Sequence, residues 1–139
     1  TKQMLNKSGI TKTTLTAPKQ ILANVELQAS VGCIVPESLG VTVGTKKIAK
    51  AGTPININLQ NLQAVIKAPA AATTEPVAPA VPMNAVLLHD VDVTAGAANG
   101  TALYFGMINT NRVDSDVATK ITTAVGIEGA SPLLTFIKA

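Results

Sequence analysis

Ala85-Val86-Leu87-Leu88-His89-Asp90-Val91-Asp92-Val93 and Thr101-Ala102-Leu103-Tyr104-Phe105-Gly106-Met107-Ile108 are the two runs that decide how this chain is read. Both are mostly apolar or alternating, the first rich in Val and Leu and the second built on Leu, Tyr, Phe, Met and Ile, the composition of strands packed on at least one face. Between them, residues 94–100 hold Gly96 and the dipeptide Asn99-Gly100, a strong turn signal. The pair predicts a β-hairpin, and with it a mainly β chain.

The flanks extend that reading. Upstream, Ile21-Leu22-Ala23-Asn24-Val25-Glu26-Leu27 alternates in its second half, and Val41-Thr42-Val43 lies between Gly40 and Gly44. Ile55-Asn56-Ile57-Asn58-Leu59 alternates over five positions and predicts a half-buried strand after the turn at Pro54. Downstream, one helix is expected from Asp114. Asp114 or Ser115 can cap it and Asp116 suits the dipole, while Val117, Ile121, Ala124 and Val125 form one apolar stripe before Gly126 stops it. Pro132-Leu133-Leu134-Thr135-Phe136-Ile137 predicts a terminal strand. Residues 67–82 contain four prolines and read as an exposed polyproline-like Ala/Pro loop inside one domain. The fold class expected is mainly β, an α+β chain with one short helix. Residues 1–18 form an extended arm, and residues 19–139 a single β-rich domain.

Length and composition agree. At 139 residues the chain holds one domain of ordinary size. Apolar residues are 47% of it, too many for a disordered tail, while charged residues are only 14%. Aromatics are 2%, which argues against a nucleic-acid binder that stacks bases. No run approaches the ~20 apolar residues of a membrane helix, and no secretory leader is visible, so folding in a cytoplasm is expected. Residues 1–50 carry seven Lys against two Glu, a balance of +5; the remainder carries four basic and six acidic residues, a balance of −2. Lys2, Lys7, Lys12 and Lys19 precede any acid, interleaved with Leu5, Ile10 and Leu15. A positive arm lying on an acidic protein surface fits that spacing better than a nucleic-acid arm, which is usually denser and includes Arg; an idle solvated tail is the other reading.

Few residues in the chain pattern like a chemical site. The lone His89 reads as a histidine at the edge of the core, sharing a strand face with Leu87, Val91 and Val93 rather than with Asp90 and Asp92. Those two aspartates share a face at about 7 Å, a separation known from glycosidases, yet the aromatics of a sugar cleft are missing. Calcium fares no better, because Ala95 and Thr101 stand where an EF-hand loop needs Gly and Glu. Aspartates at a strand end more often hold the next turn through backbone N–H groups. Residues 40–46 have the wrong spacing for a phosphate loop. Cys33, the single cysteine, sits in a short apolar run and reads as a buried thiol. No enzyme, cofactor or metal is expected.

Residues 86–103 resemble a hallmark hairpin of tailed-phage head decoration proteins, of the form LL-x-DVDVT-x-G-x-AN-G. Leu88, Asp90, Asp92, Gly96, Asn99 and Gly100 carry the likeness. The following Asn111-Arg112-Val113-Asp114 and helix fit the same pattern, and Lys50-Ala51-Gly52-Thr53-Pro54-Ile55 resembles a turn upstream in such proteins. The likeness covers residues 48–58 and 85–138, about half the chain. It implies a small β-tulip-like fold similar to the lambda-like head-stabilising family. It also implies a homotrimer on the outer surface of the virion capsid, made in the host bacterium and bound to the major capsid protein. The arm, with Lys2, Leu5, Lys7, Ile10, Lys12 and Leu15, would complete that contact, with no role for nucleic acid or membrane. An alternative is a head-fibre base or host-surface adhesin that uses the Ala/Pro loop, and a third is a small metal-dependent enzyme built on His89.

Overall fold

The computed structural model describes residues 20–61 and 65–138. The expected arm over residues 1–18 lies outside the described residues. The chain is mainly β, as its patterning predicts, with a single α-helix among the described residues.

A 12-residue strand, β9 (Ala98–Asn109), organises the molecule. On one side it pairs antiparallel with β1 (Ala29–Val35), and on the other with β7 (Ala85–Leu87). β4 (Pro54–Ile55) adds to β7, and β10 (Leu134–Ile137) runs parallel to the far end of β9. In β1, Ala29 lies opposite Phe105 and Ser30 opposite Leu103, so Tyr104 is one residue too many on β9. Such a bulge reverses which way later side chains point. A second sheet is built from β2 (Val41–Val43), β3 (Lys46–Ala49) and β8 (Val91–Asp92).

Strand β7 shows how the layers are held together. All three of its residues are buried, and they alternate between two cores. Val86 faces a cluster with Leu103, Ile108 and the residues Val117, Ile121 and Ala124 of helix α1 (Ser115–Val125). Ala85 and Leu87 face a second cluster with Val35, Ile55, Val91, Val93 and Ala102. The larger sheet is therefore covered on both faces, by the helix on one and by the smaller sheet on the other. That arrangement explains why β7 reads as a continuous apolar run rather than an alternation. Leu87 and Leu103 are fully buried, each worth about 1.5–3 kcal/mol of transfer free energy.

Several expectations are corrected. The run 85–93 is not one strand: it breaks at residues 88–90 and passes from the larger sheet to the smaller one. His89 sits in that bend and is exposed, not at the core edge. Asn99-Gly100 is not a turn but the start of β9, paired with Ile34 and Cys33. The alternation over residues 21–27 forms no strand. There the Asn24 side chain accepts from the N–H groups of Glu26 and Leu27 and folds a local turn, leaving Val25 and Leu27 exposed. Of residues 55–59 only Ile55 lies in a strand; Asn56 makes a bridge to Lys67, and Leu59 is exposed. Residues 67–82 form a ribbon rather than an irregular loop: Ala70 and Val81 exchange backbone hydrogen bonds, and β5 (Thr73–Thr74) pairs with β6 (Val77–Ala78).

Helix α1 begins and ends close to where the sequence places it, with Asp114 at the N-cap and Gly126 at the C-cap. Its stripe is narrower than expected, because Val125 is exposed. Thr119, Thr122 and Thr123 each donate a hydroxyl hydrogen bond to the carbonyl four residues back, which lets threonine sit on a helix surface.

Candidate functional site

Residues 50–54, residues 87–90 and the start of helix α1 meet at one joint, which takes in part of the likeness. Residues 50–54 turn tightly: the Thr53 N–H and hydroxyl both donate to the Lys50 carbonyl, at 3.2 and 2.6 Å. Gly52 holds a φ of 90°, and a Cβ there would lie 2.7 Å from Cγ1 of Val113. Only glycine suits both conditions. Its N–H donates to the Leu87 carbonyl at 2.7 Å, and the Leu87 N–H donates to the Thr53 carbonyl at 3.0 Å.

Asp90 closes the joint. Its Oδ1 accepts from the Ala51 N–H at 2.7 Å, 39 residues away, and so fixes the bend that carries the chain between sheets. Leu88, just before it, is buried against the helix-side core and donates its N–H to the Thr101 carbonyl. Lys50 then reaches the start of α1, its Nζ 3.2 Å from Oδ2 of both Asp114 and Asp116. Asp114 thus occupies the N-cap without a capping bond from its side chain. The hydrogen bonds to Asp116 and Asp114 raise the Lys50 pKa above its ordinary value. Burial pushes the Asp116 carboxyl up, but the Lys50 hydrogen bond and charge, with the N–H groups of Val117 and Asp116, outweigh it and hold it below the usual range.

The rest of the hairpin motif is equally structural. Asp92 accepts from the hydroxyl and N–H of Thr94 at 2.6 and 2.9 Å, as expected of an aspartate holding the next turn, and these bonds lower its pKa. The Thr94 hydroxyl in turn accepts from the Lys47 N–H, tying that turn to β3. Gly96 donates its N–H to the Val93 carbonyl. A Cβ on Gly100 would lie 2.7 Å from Cγ2 of Val35 and 2.9 Å from Cγ2 of Val91, so β9 needs glycine where the two sheets close on it. Asn99 pairs with Ile34 and points to solvent.

Asp90 and Asp92 therefore serve different loops and do not converge. Among the described residues no cluster of three His, Cys, Asp or Glu side chains can hold a metal ion. Cys33 is buried, as expected, and burial pushes its thiol pKa up. Lys2, Leu5, Lys7, Ile10, Lys12 and Leu15 lie outside the described residues. The chain enters the domain at a fixed point. Ala23 donates its N–H to the Met107 carbonyl, Asn109 donates its own to the Ile21 carbonyl, and Nη1 of Arg112 donates to the Leu22 carbonyl. Sequence reasoning missed the Lys50–Asp114–Asp116 cluster as a unit, although all three residues lie in or beside the quoted motifs. No helix among the described residues is long and apolar enough to cross a membrane. No protein-family model matches this chain, and no curated protein does.

Proposed function

We propose that this chain is a head-decoration protein, a non-enzymatic cement that binds the outer surface of an expanded tailed-phage capsid as a homotrimer. One observation carries the reading. The two stretches that resemble that family are separated by residues 59–84, yet part of the first, Lys50 to Thr53, is tied by hydrogen bonds and ion pairs to Leu87, Asp90, Asp114 and Asp116 of the second. The upstream turn and the start of the hairpin motif thus belong to one unit of structure. The anchoring of residues 21–23 on β9 gives the arm a fixed point of departure, from which its lysines and apolar side chains would meet the major capsid protein. An extended arm can add to an exposed sheet edge, with backbone hydrogen bonds supplying affinity.

A clamp that binds only the expanded lattice stabilises it by mass action. At a free concentration of about 100 Kd the gain is roughly 2.7 kcal/mol per site, repeated over the shell. Deleting residues 1–17 tests the arm: the truncated protein is expected to stay folded and to bind expanded heads more weakly. Equal co-sedimentation of both forms refutes the arm's role. The alternative, a head-fibre base or host-surface adhesin, draws support from the projecting ribbon at residues 67–82, where Val77 is 86% exposed. Strong hits in a glycan screen, together with no binding to heads, favour that alternative.

A further inference from the structure

The ribbon presents apolar surface that its own domain leaves uncovered. Residues 71–79 are all exposed, and Val77 is the most exposed large apolar side chain among the described residues. Pro76 and Pro79 have no N–H to offer, which blunts the ribbon's edge against added strands. Contact through side chains at the tip is left. That tip carries one charge, Glu75, with no ion-pair partner among the described residues.

A groove of 370 Å³ opens at the ribbon's own base, where Pro69 forms part of its wall. Leu39, Pro54 and Ile127 supply the apolar lining, and Thr123 and Lys120 of α1 stand on the other side. Lys120 also lacks an ion-pair partner among the described residues. The groove and the tip are therefore matched in kind, with an apolar slot bearing one unpaired cation and an apolar finger bearing one unpaired anion. Ala68 and Pro69 line the groove but none of residues 71–79 does, so a copy's own tip does not fill its own slot.

We propose that the ribbon tip of one copy seats in the α1 groove of a second copy, placing Val77 among Leu39, Pro54 and Ile127 and Glu75 beside Lys120. The contact is head-to-tail: each copy gives a finger and receives one. Such heterologous contacts close into a ring when the rotation permits and otherwise propagate. A single finger buries less than the ~1,200 Å² of a stable interface, so the contact is weak alone and gains from repetition. It does not depend on the capsid reading, and its test uses the free protein.

Copies carrying Val77→Cys are mixed with copies carrying Thr123→Cys and oxidised, the two distinguished by mass. The expected product is the mixed disulfide, in several-fold excess over either homodimer. Glu75→Lys in the first copy or Lys120→Glu in the second lowers its yield roughly fivefold, as expected when a surface ion pair becomes a repulsion. Combining both reversals restores it. Circular dichroism confirms that these surface variants stay folded. Mixed disulfide at no more than the statistical share, or a yield indifferent to the charge reversals, overturns the proposal.

Discussion

Residues 50–54 and residues 68–82 draw on the same small side chains and put them to opposite uses. In the first, Ala51, Gly52, Thr53 and Pro54 are all buried, and their smallness lets a turn, a bend and a helix start approach backbone to backbone. In the second, the alanines and prolines of residues 71–79 stand in solvent on a two-stranded ribbon. Composition cannot tell the two apart. What separates them is long-range hydrogen bonding: the joint is tied by the Ala51–Asp90 and Gly52–Leu87 bonds, whereas the ribbon is bonded chiefly to itself.

That contrast is open to attack by mutation. The largest effect is expected at Gly52→Val, which combines a strained φ with a clash against Val113. A loss of about 3 kcal/mol or more, measured by urea unfolding, is the expected outcome. Next comes Asp90→Ala, which strands the Ala51 N–H; about 1.5–3 kcal/mol should go, and Asp90→Asn should recover part of it because its carbonyl oxygen still accepts. Breaking the Lys50 cluster with Lys50→Met should remove less than about 1 kcal/mol, since both carboxylates stay open to solvent although the Lys50 side chain is half-buried.

The same cluster sets a pH dependence. Asp116 has a folded pKa below its unfolded value of 3.8, so its contribution is present above about pH 4 and fades as pH falls through the folded value. Lys50, raised above 10.5, contributes fully below that pH and loses its contribution only as pH rises through the folded value. Burial raises the Cys33 thiol above its ordinary 9.0, so stability also falls once pH exceeds about 9, where the unfolded thiol ionises. Thermal melts should therefore hold level between about pH 5 and about pH 9, and Lys50→Met should flatten the acid limb. The smallest effect belongs to the ribbon, where Val77→Ser should shift stability by no more than about 0.5 kcal/mol. A large loss there would erase the distinction between the two regions.

Much of the architecture was legible in the sequence. The helix with Val117, Ile121 and Ala124 inward, the strand Val41–Val43, the terminal strand and the buried thiol all follow from local pattern. The failures share a cause in long-range structure. Alternation through residues 85–93 could not reveal that Asp90 is held by Ala51, or that the chain changes sheets there. Asn99-Gly100 carries a turn signal, yet Gly100 is glycine because Val35 and Val91 close on it from elsewhere in the fold. At the candidate site, Asp92 and Thr94 are two residues apart, and their bond was foreseeable. The Lys50 cluster spans 66 residues, and only the folded chain brings it together.

The central claim, that the chain clamps the outside of an expanded capsid, is tested most directly by imaging heads assembled from the cognate major capsid protein after incubation with this protein. Density on the outer surface at local threefold positions of expanded heads, and none on unexpanded ones, is the predicted result. Bare expanded heads at saturating protein, or density confined to a host-binding fibre, would contradict it.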